Sequence, residues 1–232
     1  MTDADTLKRK AAAEAVLQVQ DGMVLGLGSG STAELFLAAV AERVRSGLKI
    51  VGVPTSKRVA ELAHQHGLPI TPLEDVTRID LTVDGADEIL PAGLDLIKGR
   101  GGALLREKLV AMASERLFIV ADDSKLVKQI GELQPVPVAV IPFGWRQTAE
   151  RLRALGSEPV LRLHDGAPFV SDDELYILDC HFGPIADPAA LGSAIKAQAG
   201  VVEHGLFLGL AHRAIVASST GITILEPETV IA

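Results

Sequence analysis

The sequence predicts an α/β protein: a Rossmann-like, mostly parallel sheet with helices on both faces, joined to a smaller ferredoxin-like α+β lobe. Three observations lead there. Helical stretches alternate with short apolar extended runs through the first half of the chain, the pattern of parallel strands bridged by helices. Near residue 130 that rhythm breaks at "GELQPVPVAVIPFGW", where prolines follow one another quickly. Beyond the break the elements run β-α-β-β-α-β, the split βαβ arrangement of a ferredoxin-like unit.

In chain order, the periodicity predicts a helix over 5–19, a strand "MVLGL" at 23–27, a helix at 33–45, a strand "LKIVGV" at 48–53 and a helix at 57–66. Short strands at 69–71 and 79–83, an extended "LDLIK" at 94–98, a helix at 104–114 and a strand "RLFIVA" at 116–121 complete the first part. The second part reads strand 136–141, helix 145–155, strands 158–163 and 174–180, helix 188–198 and strand 200–204. The tail "LFLGLAHRAIVASSTGITILE" returns to short extended runs that can rejoin the first sheet. The expected division is therefore 1–130 with 205–232 as the α/β unit and 131–204 as the small lobe. Phe143 and Trp145 are expected to pack near the junction, and Cys180 in "LYILDCHF" to be a buried strand thiol.

With 232 residues, 48% of them hydrophobic, the chain can bury a large core. A formal charge of -8 argues against nucleic acid and anionic membrane as partners, since both need a basic face, so an anionic ligand has to be held locally. One cysteine excludes an internal disulfide, and the opening "MTDADTLKRK" has neither the basic start nor the apolar stretch of a signal peptide. No apolar run approaches the ~20 residues that span a bilayer. A reducing cytoplasm is the expected location.

Two loops at expected strand ends carry chemistry. "GLGSGST", Gly26 to Thr32, joins a strand to a helix; its glycines allow close backbone approach, and Ser29, Ser31 and Thr32 bring hydroxyls to a helix N-terminus that favours an anion. It is neither a dinucleotide fingerprint, because Ser31 stands where glycine is required, nor a P-loop, because no lysine follows Gly30. A tight turn with a serine cap is the plainer alternative. "KGRGGALLREK", Lys98 to Lys108, can bring Lys98 and Glu107 to one side of the sheet, although Lys98, Arg106, Glu107 and Lys108 alone read equally as solvated helix-end charges.

Between these loops, "LTVDGADEIL" places Asp84, Asp87 and Glu88 within five residues. At an effective dielectric of about 20, two carboxylates roughly 4 Å apart repel by about 4 kcal/mol, or about three pKa units. Either the acids point apart or a cation offsets them. A lysine among them would leave one acid free to act as a base near neutral pH.

In combination, "GLGSGST", "DGADEI", "KGRGGALLREK", "ADDSKLV" and "GVVEHGLF" resemble, in order and spacing, the A-type ribose-5-phosphate isomerases, and the resemblance covers nearly the whole chain. It implies an aldose-ketose isomerase interconverting D-ribose 5-phosphate and D-ribulose 5-phosphate in the non-oxidative pentose phosphate pathway, without metal or other cofactor. It further implies a homodimer or homotetramer. By motif, Glu107 corresponds to the catalytic base, with Asp84, Asp87 and Lys98 as further catalytic groups. The sugar phosphate then falls to Ser29, Gly30, Ser31 and Thr32, to Asp84, Gly85, Ala86 and Asp87, to Lys98, Gly99, Arg100 and Gly101, and to Lys125. Some family members carry glycine in place of Arg100, and Lys8 is left unassigned. The rival readings are a Mg²⁺ site at "DGADE", a Schiff-base aldolase using Lys98, and a sugar-phosphate sensor. The sensor lacks room for a helix-turn-helix before the first strand.

Overall fold

The computed structural model describes residues 3–227; residues 1–2 and 228–232, the ends of the expected α/β unit, lie outside the described residues. In chain order the elements are α1 (Asp3–Val16), β1 (Val24–Leu27), α2 (Ser31–Arg45), β2 (Val51–Pro54), α3 (Lys57–Gln65), β3 (Leu81–Asp84), β4 (Glu88–Ile89), β5 (Leu96–Ile97), α4 (Leu104–Met112) and β6 (Leu117–Asp122). There follow β7 (Val136–Val140), α5 (Trp145–Ala154), β8 (Glu158–Leu161), β9 (Leu163–His164), β10 (Ala167–Pro168), β11 (Tyr176–His181), α6 (Pro188–Lys196), β12 (Val201–His204), β13 (Leu206–Phe207), β14 (Arg213–Ser218) and β15 (Gly221–Leu225).

The central sheet has six strands in the order β15-β14-β6-β3-β1-β2. Five run parallel, and β15 closes one edge as an antiparallel hairpin with β14. The tail thus rejoins the first sheet as the sequence predicts. Alternation within the strands sorts the two faces. Leu25, Leu27, Leu81, Val83, Phe118, Val120 and Ile215 meet α1 and α2, which supply Ala11, Ala12, Ala15, Phe36, Leu37 and Val40 at helical spacing. On the opposite face Leu117, Ile119, Ala121, Ala214 and Val216 pack with Ala111 of α4, Leu96 and Phe207. Helices therefore cover both faces.

The second sheet is entirely antiparallel, in the order β12-β7-β11-β8, with α5 and α6 connecting its strands. Within its β-α-β-β-α-β run this is the 4-1-3-2 order of a ferredoxin-like unit, with the small β9-β10 hairpin inserted between its second and third strands. Cys180 is fully buried in its core, where burial pushes the thiol up to about 12. Trp145 packs partly buried against the same core, but Phe143 is 90% exposed, contrary to the packing role expected for it.

Three extended runs behave differently from the expectation. The stretch at 69–71 contributes only a bridge from Ile70 to Gly52. "LDLIK" pairs over Leu96–Ile97 alone, and with β4 and β13 in a separate three-stranded sheet. The run at 158–163 is interrupted at Arg162, whose backbone N–H donates to Ile177 O and whose carbonyl accepts from Phe169 N.

Candidate active site

The carboxyl ends of β1, β3 and β6 open on one side of the central sheet, beside the loop that follows β5; in open parallel sheets this is where ligands gather. Two positions in β1 and its exit have no room for a side chain. A Cβ on Gly26 would sit 1.8 Å from Thr82 Oγ1, and one on Gly28 would sit 2.5 Å from Asp84 Cα. Gly30, with φ 94, turns the chain into α2 without a side-chain cap, so the first N–H groups of the helix face the opening.

A cavity of about 340 Å³ lies over these ends. Of the residues expected at the site, Ser29, Gly30, Ser31, Thr32, Gly85, Ala86, Asp87, Lys98, Gly99, Arg100, Gly101, Glu107 and Lys125 all line it. Asp84 does not reach the surface of the cavity, being 1% exposed, and instead contacts Lys98 from below. Lys8, unassigned from sequence, lines it too, as does Asp122, whose carboxylate accepts from Ser124 N. Lys8 carried no local signal, sitting in the cation-rich helix run "LKRK"; Asp122 lies within the motif "ADDSKLV", but nothing there singles it out.

Both solutions to the acid crowding occur. Glu88 points away from the cavity into full burial, where it accepts N–H bonds from Gly131, Leu133 and Gln134 at 2.5 to 2.7 Å. Asp87 is half-buried and accepts from Arg100 N at 3.0 Å. Asp84 accepts from Ser29 N and Gly85 N, and Lys98 Nζ stands 2.9 Å from it. The same ammonium donates to Gly85 O at 2.7 Å and lies 3.4 Å from Glu107 Oε2.

One buried cation therefore serves two buried carboxylates. Burial opposes the charge on Lys98, but Asp84 and Glu107 outweigh it and hold the ammonium above its ordinary range, so it remains protonated. Burial pushes Glu107 up to about 7; Lys98 pulls against this, while Asp84 and Asp87 add to it. Burial also raises Asp84, against Lys98 and its two N–H donors. Glu107 Oε2 is buried and accepts no hydrogen bond, so Glu107 is the acid best placed to exchange a proton with something in the cavity.

The loop charges do not lie free in solvent. Lys98, Glu107 and Lys108 are buried, and Lys108 is spent on Glu203 and His204 O. Arg106 pairs with Asp173, outside the cavity. Among the described residues no group of three or more His, Cys, Asp or Glu is arranged to hold a metal ion. Ser29, expected as a phosphate donor, lines the cavity and has further partners. Its hydroxyl is turned to Thr55 at 2.9 Å and Ser56 at 3.2 Å, and its N–H is taken by Asp84. Ser31 and Thr32, at the start of α2, are left to face the cavity.

Such a site pairs a carboxyl near neutrality with a fixed cation, beside a cradle for an anion. It can draw a proton from carbon and stabilise the oxyanion that results.

Residues 51–221 match the family model described as Ribose 5-phosphate isomerase A (phosphoriboisomerase A). A curated relative from Gloeobacter violaceus, Ribose-5-phosphate isomerase A, is 55% identical over 97% of this chain and 98% of its own. The solved ribose 5-phosphate isomerase A of Methanocaldococcus jannaschii superposes with a TM-score of 0.92 at 40% identity, covering 96% of this chain and 99% of that one. A D-ribose-5-phosphate isomerase in complex with phospho-erythronic acid superposes with a TM-score of 0.94 at 37% identity, covering 97% and 100%.

Proposed function

The chain belongs to the ribose 5-phosphate isomerase A family, and from that membership we propose which side chains carry its reaction and how they divide it. The reaction is the aldose-ketose interconversion of D-ribose 5-phosphate and D-ribulose 5-phosphate in the pentose phosphate pathway. It requires a proton to leave the carbon beside a carbonyl and to return on the neighbouring carbon, through an enediolate that carries its charge on oxygen.

Glu107 is the base. It takes the C2 proton of the open-chain aldose and returns it to C1, which suits a carboxyl held at about 7 on the cavity wall, with Oε2 accepting no hydrogen bond and lying 3.4 Å from the Lys98 ammonium. Lys98 stabilises the enediolate oxyanion, and its raised ammonium pKa favours this role over that of a Schiff-base nucleophile, which must first lose its proton. Asp87, half-buried on the cavity wall, moves protons between the sugar oxygens during ring opening and enediol formation. Asp84 is proposed to act from beneath, by holding Lys98 in place. Ser31, Thr32 and the N–H groups at the start of α2 hold the phosphate with Lys125 and Lys8, which line the same cavity. Gly30, Gly85, Ala86, Gly99, Arg100 and Gly101 frame the sugar, and Ser29 serves by orienting Asp84.

The ligand of the relative mentioned above is a four-carbon acid phosphate, whose carboxylate spreads negative charge over two oxygens as an enediolate does. That likeness supports a site built for the intermediate. The observation that carries the assignment is the triad of Asp84, Lys98 and Glu107, buried together at the cavity floor.

The assembly is proposed to be a homodimer or homotetramer and the location cytoplasmic. No helix among the described residues is long and apolar enough to cross a membrane. The division into an α/β unit, 1–130 with 205–232, and a small lobe, 131–204, is proposed on the two sheets. The decisive experiment is conversion of ribose 5-phosphate by purified protein in excess chelator. Absence of ketose product sinks the assignment.

A further inference from the structure

Arg162 lies in the second sheet, between β8 and β9, in a stretch with no recognisable motif. Its guanidinium uses both ends of its fork. Nε and Nη2 engage Asp179 of β11, with Nε to Oδ2 at 2.9 Å, while Nη1 donates to two peptide carbonyls of the lysine-glycine loop, Gly99 O at 3.0 Å and Arg100 O at 2.9 Å. The side chain is only 15% exposed, and the guanidinium lies 5.9 Å from the centre of the Phe169 ring. That ring fills the space beside Gly102, where a Cβ would come within 2.4 Å of it.

The consequence follows from peptide geometry. In a trans peptide the carbonyl and the next N–H point in opposite directions. Drawing Gly99 O toward Arg162 turns the Arg100 N–H away from it, and that N–H is the one bonded to Asp87 Oδ2 at 3.0 Å. Drawing Arg100 O the same way turns the N–H of Gly101, a residue of the cavity wall, away from Arg162 in the same manner. Gly99 O also accepts from Gly102 N at 2.9 Å, so the whole turn is locked to one guanidinium. A lysine could not replace it, because a single ammonium cannot span a carboxylate and two carbonyls in a plane.

We propose that Arg162 is a positioning residue for the isomerase reaction, acting from the second sheet to fix the peptide orientation of the 98–102 loop and, through the Arg100 N–H, the Asp87 carboxylate. This rests on the reading of that loop as part of the sugar-phosphate site. The guanidinium touches no reacting atom. It sets the direction of groups that do, so its loss acts on turnover more than on folding.

The test is Arg162→Ala, assayed for ribose 5-phosphate isomerisation well below its measured melting temperature, with and without added guanidinium ion at sub-denaturing concentration. The expected result is a fall in kcat/KM of roughly 10- to 100-fold, the usual consequence of small misplacements at a reacting centre. Guanidinium ion is expected to recover part of that loss in the variant and to leave the wild type unchanged. A folded Arg162→Ala with wild-type kcat/KM overturns the proposal, and so does a loss that guanidinium ion does not relieve. If Arg162→Ala does not fold, Arg162→Lys keeps the charge opposite Asp179, and wild-type kcat/KM in that variant overturns the proposal equally. Wild-type protein is assayed in parallel. Absence of turnover there identifies failure of the active-site reading, whereas failure of the brace shows as full turnover in the Arg162 variants.

Discussion

Glu107 Oε2 is, among the described residues, a buried side-chain oxygen without a hydrogen-bond partner, and this separates Glu107 from the acids around it. Asp84 accepts from two N–H groups and faces an ammonium, Glu88 accepts from three N–H groups, and Asp87 accepts from one. Glu107→Gln keeps the shape but cannot take a proton from carbon. Its kcat is expected to fall by at least about 10², the usual worth of a general base, with sugar-phosphate affinity little changed. Exchange of the substrate's C2 proton with deuterated solvent should stop in the same variant; persistence near the wild-type rate would transfer the role to Asp87. Because the base must be ionised, wild-type kcat/KM should decline as pH drops through about 7, where burial places the Glu107 carboxyl. Thr32→Val tests the anion cradle at the same scale. Removing one hydroxyl donor to a charged phosphate should weaken sugar-phosphate binding by about 1 to 3 kcal/mol, read by titration calorimetry. An unchanged affinity moves the phosphate away from α2.

At the level of elements, the site depends on the exit of β1 passing Asp84 with no side chain at Gly28. Gly28→Ala would drive a methyl against the backbone of Asp84, and neither strand can retreat from a parallel sheet already packed on both faces. The expected outcome is a stability loss of about 1 to 3 kcal/mol from overpacking, seen in urea unfolding, together with lower turnover as Asp84 and Lys98 shift. Unaltered kcat in a folded Gly28→Ala would mean that Asp84 need not be held to that tolerance. Elements were legible where period and punctuation agreed. The continuous apolar run of "LFIVAD" closed by Asp122, the Ser56 cap before α3 and the Asp187-Pro188 start of α6 each announce their boundary locally. "LDLIK" did not, because an apolar extended run says nothing about which sheet will receive it; its partners, β4 and β13, lie before and about a hundred residues after it in the chain. Arg162 was missed for a related reason. Its meaning lies in two carbonyls some sixty residues away, and no spacing rule reaches that far.

For the whole molecule, what the sequence disclosed best was the set of groups at the cavity, since most of them sit in or beside glycine-containing loops at strand ends; what it concealed was their wiring. Ser29, expected as a ligand donor, lines the cavity and also bonds an aspartate through its N–H, and Glu88 looked like one of three competing acids and proves to anchor the crossing near residue 131. Burying the Glu107 carboxyl also has a global consequence. Glu107 has a folded pKa of about 7 against an ordinary value of 4.5, so between those values the folded state binds more protons than the unfolded state. Stability then falls as pH rises through this window, and the penalty is complete above about 7. The shift corresponds to at most about 3 kcal/mol, which is comparable to a large part of the total stability of a domain. Asp84 is displaced in the same direction, whereas Lys98 titrates far above the window. Glu107→Gln resembles the protonated form at every pH and escapes the penalty. It should therefore match wild type near pH 4.5 and exceed it by roughly 1 to 3 kcal/mol at pH 8, with a flatter dependence of unfolding free energy on pH between them. Denaturant unfolding of both proteins at several pH values measures this directly. Parallel curves would show that Glu107 is not held out of its ordinary titration range, and the acid limb of the activity profile would then need another owner.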